Sequence, residues 1–342
     1  MYEEFYNLTG KPFQLSPDPS FFFGSRGHKR AMAYLEYGVE QAEGFIVITG
    51  EVGAGKTTLV RNLFNGLNRN EVIAAQLVST QLEADDMLRA VCSAFGLEFR
   101  GNKAERLLSL ESYLLERQRE GKRCLLVVDE AQNLPPAAVE ELRMLSNFQT
   151  SQGSLLQSFL VGQPEFRNTL QSPSMRQLRQ RVIATYHLGP LDAEETRGYI
   201  EHRLQRVGWQ NDPEFSNEAF EALHEYAAGI PRRINTVCDR LLLMAFLEEL
   251  HFIDSETVQE VINELDQDFG VRGDEGDTPP DLDGSGYQQG GGAPVSDANA
   301  SDMHAHIEKL GARVSRLERY VVYTSKLSRQ ILSHVNKKKI TD

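Results

Sequence analysis

The spacing of apolar positions changes character along the chain. Between residues 45 and 188, apolar runs at about 45–49, 72–79, 123–128, 155–161 and 183–188 alternate with stretches of helical spacing. Short unbroken apolar runs predict strands buried on both faces, and their alternation with helices predicts a parallel sheet covered on both sides. From 192 to 265 the strand signal stops. Four helices are expected there, beginning near Asp192-Ala193-Glu194-Glu195, Ser216-Asn217-Glu218, Pro231 and Asp254-Ser255-Glu256, each with cap or first-turn residues. The expected architecture is an α/β domain over 29–190 followed by a small all-helical domain over 191–268.

The two ends differ from this body. Residues 1–28 interleave Tyr2, Phe5, Tyr6, Phe13, Phe21, Phe22 and Phe23 with Pro12, Pro17 and Pro19. Those prolines forbid a long helix, and the segment is expected to pack across the main domain. Residues 29–42 then look helical. Residues 269–302 are rich in Gly, Asp, Ser and Pro and hold too few apolar residues to bury, so a flexible acidic linker is expected. In 303–336, Ile307, Leu310, Val314, Leu317 and Val321 recur at spacings of three and four. A coiled coil and an amphipathic helix docked on the body both fit that seam.

Composition narrows the class. The chain has 342 residues and a net charge of −13, with the acidic excess in the body and the linker and a basic excess after residue 303. An acidic body is poorly suited to a phosphate backbone, so nucleic acid is not expected as a partner. Cys92, Cys124 and Cys238 stand apart inside apolar patterns and read as buried thiols, not as a disulfide framework or metal site. The start, Met1-Tyr2-Glu3-Glu4-Phe5, has no basic stretch leading into an apolar core. No apolar run approaches about 18 residues. The expectation is a cytoplasmic protein without membrane insertion, at most peripheral at the inner membrane through a partner.

The chemistry sits at strand ends. Gly50-Glu51-Val52-Gly53-Ala54-Gly55-Lys56-Thr57-Thr58 follows the first strand and opens a helix, and it satisfies Gly-x4-Gly-Lys-Ser/Thr. In that order, backbone N–H groups and a helix N-terminus converge on a polyphosphate. Gly53 and Gly55 leave room for the backbone, Lys56 neutralises the outer phosphates, and the Thr57 hydroxyl would hold Mg²⁺. ATP and Mg²⁺ are the expected cofactors. The third strand ends in Asp129-Glu130: Asp129 is placed to orient the metal through its waters, and Glu130 to polarise an attacking water. Glu130 argues for hydrolysis and not binding alone.

Together these features resemble the AAA+ ATPases, and within them the ExeA/GspA-type secretion ATPases. The resemblance covers residues 1–265. It rests on Tyr2-x2-Phe5-x2-Leu8, Pro12-Phe13, Pro17-Asp18-Pro19, His28, the phosphate loop and Asp129-Glu130-Ala131-Gln132. It continues through Leu160-Val161-Gly162-Gln163-Pro164-Glu165 and Gly229-Ile230-Pro231-Arg232-Arg233-Ile234-Asn235. The chain looks most like the variant associated with exosortase and exopolysaccharide export loci. The resemblance implies a P-loop sheet with a helical lid, a γ-phosphate or water sensor at Gln163, and a second sensor at Arg232. It also implies an arginine finger acting on a neighbouring subunit at Arg181, with Arg176 and Arg179 as rivals. It further implies a homo-oligomer, a ring or an ATP-dependent assembly, that serves inner-membrane export or assembly proteins. Transposition ATPases share this layout, so a DNA-targeting ATPase is the alternative. The acidic body and the lack of a helix-turn-helix or zinc signature count against it.

Overall fold

The computed structural model describes residues 1–78, 84–97, 101–151 and 153–269. The expected helix 303–336, and the expected linker beyond residue 269, lie outside the described residues. In chain order, α1 (Tyr2–Phe5) and a 3-10 turn (Pro19–Phe21) precede α2 (Arg26–Gln41), β1 (Phe45–Gly50), α3 (Lys56–Gly66) and β2 (Val72–Val78). Next come α4 (Ala84–Ala94), α5 (Lys103–Arg119), β3 (Arg123–Asp129), α6 (Pro136–Leu145), and the short pair β4 (Gln149–Thr150) and β5 (Gly153–Ser154). Then follow β6 (Leu156–Gly162), α7 (Glu165–Gln171), α8 (Arg176–Arg179) and β7 (Val182–Leu188). The last stretch holds α9 (Ala193–Arg206), β8 (Glu214–Phe215), α10 (Asn217–Ala227), α11 (Pro231–Leu247), β9 (Phe252–Ile253) and α12 (Ser255–Phe269).

The main sheet has five strands in the order β2-β3-β6-β1-β7, and every pairing in it is parallel. Thr49 lies opposite Gly162 and Val128 opposite Leu160, so β1, β3 and β6 finish at one edge of the sheet. Ligands in such sheets bind beyond the carboxyl ends of the strands. β1, β3 and β6 are buried throughout apart from Arg123 at the entry to β3, as their unbroken apolar runs require. One face packs Phe45, Val47, Leu126, Val128 and Leu160 against α4, α5 and α6. The other packs Ile46, Ile48, Val127 and Phe159 against Leu35 of α2 and Leu59 of α3.

The helices after residue 192 enclose a core of their own, around Ile200, Leu223, Val237, Leu241 and Val258. Asp192 accepts from the Glu195 N–H, and Glu195 reaches back to the Asp192 N–H, closing a capping box that starts α9. β8 and β9 pair here in parallel, although no strands were expected in this region. Two residues are too short to carry an alternating pattern.

The N-terminal segment departs from expectation more instructively. Tyr2, Tyr6, Leu8 and Phe13 are buried in the core of the helical lobe and not against the sheet. The Tyr2 hydroxyl donates to Asp239 of α11 at 2.7 Å, and the Tyr6 hydroxyl to the Leu250 carbonyl at 2.8 Å. Only further on does the chain reach the α/β lobe, where Phe22 packs beside α2 and α3 and Arg61 donates to the Pro17 carbonyl. The segment is a strap joining both lobes.

Phe13 is 1% exposed. Phe13→Ala should therefore cost about 3–5 kcal/mol of unfolding free energy, as buried Phe truncations do. Chemical denaturation followed by tyrosine and tryptophan fluorescence checks this; a loss under about 1 kcal/mol would mean that the strap is an appendage.

Candidate nucleotide-binding site

A cleft of about 310 Å³ opens at the carboxyl edge of the sheet. It is lined by the phosphate loop, by Glu130 and Gln163, by the strap and by the start of α11. The loop leaves β1 at Gly50 and enters α3 at Lys56, with Gly53 and Gly55 at φ 85° and 97°. Positive φ alone favours glycine here, and the neighbours make it obligatory. A Cβ on Gly53 would lie 2.4 Å from Cβ of Arg232, and one on Gly55 would lie 2.7 Å from Nε2 of His28. The loop is thus held between the first turn of α11 on one side and α2 on the other. The Arg232 N–H donates to the Gly53 carbonyl at 3.2 Å, which ties the helical lobe to the loop by its backbone. Pro231 supplies the preset φ of the first helical position.

Lys56 is buried, and its Nζ donates to the carbonyls of Gly50 at 2.7 Å and Glu51 at 2.9 Å. Burial pulls its pKa down, and the nearby Glu130 and Asp129 oppose that. Thr57 Oγ1 donates to Asp129 Oδ2 at 3.2 Å, and Asp129 Oδ1 accepts from the Glu130 N–H at 3.0 Å. Burial pushes the Asp129 carboxyl up and Glu130 adds to this, while the hydrogen bonds from Glu130 N–H and Thr57 oppose it. A buried carboxylate next to a hydroxyl suits a cation that brings its remaining ligands with it. Among the described residues no cluster of three or more His, Cys, Asp or Glu could cage a metal. One hydroxyl and one carboxylate, Thr57 and Asp129, suit Mg²⁺, which keeps waters and substrate phosphates as its other ligands.

Glu130 leaves β3 with φ 54°, an uncommon left-handed conformation for a non-glycine residue. Its Oε2 accepts from Gln132 Nε2 at 2.6 Å and from Gln163 Nε2 at 3.4 Å. Lys56, Thr57, Asp129, Glu130, Gln163 and Arg232 therefore meet around one cleft, and Val52 and Thr58 also line it. Arg181 does not join them. Its carbonyl accepts from the Phe45 N–H at 2.9 Å, so it stands at the opposite end of β1, roughly 16 Å of strand from the loop. Its guanidinium is held by Ser146 Oγ at 2.7 Å and by Asn147 Oδ1. Arg179 is bound to the carbonyls of Leu170 and Ser172, and Arg176 is exposed.

Some lining residues were not singled out from the sequence as site residues. Arg203 and Tyr199 of α9 lie one turn apart, with Asn235 of α11 beside them. Arg203 donates to the Tyr199 hydroxyl at 2.7 Å, which donates to Asn235 Oδ1 at 2.8 Å. The available signal was a basic residue in register with the apolar phase of α9, between Ile200 and Leu204. His28 is the other. Its Nδ1 is 2.8 Å from Ser25 Oγ, and its ring bonds the Ala54 backbone beneath the loop.

A phosphate loop on a central parallel strand, an acidic pair two strands away, and an arginine presented by a helical lobe define a P-loop ATPase of the AAA+ class. Residues 39–170 match the family model described as an AAA domain. The General secretion pathway protein A of Aeromonas hydrophila is 41% identical over 255 residues, covering 74% of this chain and 46% of that protein. The Aeropyrum pernix ORC2 protein superposes with a TM-score of 0.57 at 17% identity, covering 74% of this chain and 71% of that one. The Thermotoga maritima RuvB Holliday junction branch migration motor superposes with a TM-score of 0.51 at 19% identity, covering 74% of each chain. Residues 39–170 carry an AAA domain, and over the aligned stretch the chain is similar to a GspA-type secretion protein. It spans less than half the length of its GspA relative.

His28 generates a pH prediction. Burial lowers its pKa below the ordinary 6.5, the Ala54 bond opposing, so the folded loop favours neutral imidazole. The stability His28 contributes is present above about pH 6.5 and is lost as pH falls toward the depressed folded value. The melting temperature should thus fall more steeply from about pH 7 to 5.5 in the wild type than in His28→Gln. Equal slopes would remove His28 from this role.

Proposed function

We propose that the chain is an ATP-hydrolysing switch or motor that energises or regulates envelope secretion, assembly or exopolysaccharide export. The observation that carries this reading is the seating of Arg232 on Gly53, with Glu130 and Gln163 facing the same cleft. A helical lobe bonded to the phosphate loop must feel what the loop binds. Binding and loss of the γ-phosphate would then bias the lobe's position, as a ligand with different affinities for two states shifts their populations.

The site supplies positioning and electrostatics. Loop N–H groups and the start of α3 receive the phosphates, and the Lys56 ammonium exchanges its two carbonyl acceptors for phosphate oxygens. Mg²⁺, held through Thr57 and Asp129, would neutralise charge on those oxygens. Glu130 takes a proton from the attacking water as its oxygen bonds the γ-phosphorus, and the bond to the bridging oxygen breaks. Gln163 lies on the same side to sense the γ-phosphate or the water. Phe21–Phe23 and the strap wall the cleft and give the adenine an apolar, aromatic surface.

Arg181 lies too far from its own loop to act there. It is therefore assigned to the nucleotide of a second copy, which makes the active form a homo-oligomer. Among the described residues no helix is long and apolar enough to cross a membrane. The reading places the protein in the cytoplasm, peripheral at the inner membrane through export or assembly proteins. The identity with a general secretion pathway protein supports this setting, and the exopolysaccharide assignment rests on the resemblance of the motifs.

Two sets of variants test the reading. Lys56→Ala should abolish binding of a fluorescent ATP analogue, whereas Glu130→Gln should bind it with turnover reduced at least about 100-fold. Wild-type turnover in Glu130→Gln would remove Glu130 from catalysis. Arg181→Ala should bind ATP and hydrolyse it slowly, and mixing it with Lys56→Ala should restore activity above the sum of the two. Without rescue in mixtures shown to co-assemble, the finger lies elsewhere.

A further inference from the structure

We propose that Gln132 is the positioning residue that holds the Glu130 carboxylate in its working orientation and couples it to the end of β6. The proposal rests on the hydrolytic reading above and deepens it. Gln132 sits in a 3-10 turn, Ala131–Asn133, entered from the left-handed Glu130 and anchored by the buried Ala131. Its carboxamide is used at both ends. Nε2 donates to Glu130 Oε2 at 2.6 Å, and Oε1 accepts from the Gln163 N–H at 2.9 Å. One side chain thus spans from the catalytic carboxylate on β3 to the main chain that follows β6.

Two further features point the same way. The side chain of Gln163 reaches the same carboxylate oxygen, so two carboxamides converge on Oε2, while Oε1 accepts no hydrogen bond from the described residues. Glu130 lines the cleft, so Oε1 is left to receive the water's proton. Gly162 also makes room: a Cβ there would sit 3.0 Å from Gln132 Oε1 and 3.4 Å from its backbone N. A carboxamide offers a donor and an acceptor from one planar group of this size, which an ionised carboxylate does not. A carboxylate in its place would set like charge against Glu130, and an aliphatic side chain would release both ends.

The coupling has a consequence for timing. Gln163, placed to sense the γ-phosphate, shares its own N–H with the group that aims Glu130. A shift of the chain after β6 is therefore passed to the base through one rigid side chain, without passage through solvent.

The test uses the full chain, with steady-state ATP hydrolysis and affinity for a fluorescent ATP analogue measured side by side. Gln132→Ala should lower kcat by about 10- to 100-fold, the scale of a misaimed base, with KM and affinity within about threefold. Gln132→Glu should be slower still at about pH 8 and recover partly toward about pH 6, where the introduced carboxyl is protonated and donates as the amide does. A merely structural glutamine would give neither that inverted pH profile nor a loss confined to kcat. Gly162→Ala, which crowds the carboxamide without removing it, should lower kcat in the same direction and covers the case in which Gln132→Ala fails to fold. If both variants turn over within about twofold of wild type while Glu130→Gln is inactive, Gln132 does not position the base. Should Glu130→Gln itself turn over normally, the hydrolytic reading falls, and Gln132 has no base to aim.

Discussion

The rest of the site depends on the close approach of Gly53 and Arg232. The first turn of α11 sits so near the phosphate loop that a single methyl group on Gly53 would meet the Arg232 Cβ at 2.4 Å. Loop and helical lobe therefore form one surface, joined by a backbone hydrogen bond that no side-chain substitution can supply. From below, His28 closes on Gly55. Between these two neighbours the loop has few conformations left, so little entropy remains to be lost when a phosphate binds. The same geometry means that a change in the loop's shape has one outlet, the position of α11.

Electrostatics explain why the site stays assembled with its charges buried. Lys56, Asp129 and Glu130 lie together at the end of the sheet, where isolated charges would be strongly disfavoured. Each has hydrogen-bond partners instead. Lys56 takes two carbonyls, Asp129 takes Thr57 and a backbone N–H, and Glu130 takes two carboxamides. Burial shifts Lys56 and Asp129 in opposite directions, both toward neutrality, and the charges facing each offset this only in part. A ligand that brings phosphates together with a cation relieves both. A bare anion or a bare cation relieves one and aggravates the other.

The sheet was legible in the sequence because its central strands are buried on both faces, and runs such as Phe45–Ile48 and Cys124–Val128 leave little choice. The phosphate loop and Asp129-Glu130 were legible because their spacing is fixed by the chemistry of phosphate and metal. What the sequence hid was contact between distant segments. Gly53 and Gly55 read as room for an anion, yet their missing side chains face Arg232 and His28. Gln132 read as part of a motif, and only the ladder pairing β3 with β6 brings it onto the Gln163 backbone. The strap's aromatics read as packing across the main domain, but spacing between aromatics and prolines carries no information about which lobe they enter.

The strap in turn explains how the helical lobe is tied to the α/β lobe. Arg203 is 6% exposed and forms no ion pair among the described residues. It is neutralised by dipoles instead: the Pro12 carbonyl at 2.6 Å, the Gln14 carbonyl at 3.3 Å and the Tyr199 hydroxyl, with the Phe21 ring 4.8 Å below. A guanidinium satisfied this way would lose its partners together if the strap peeled away, at a cost of several kcal/mol. Residues 2–14 are thus fastened to the helical lobe, Pro17 and Phe22 touch the α/β lobe, and Phe21 and Phe23 return to the helical lobe. Between Gln14 and Phe23 the chain passes back and forth between the two lobes, and most of these residues line the cleft. A ligand in the cleft would therefore touch residues fastened to both lobes.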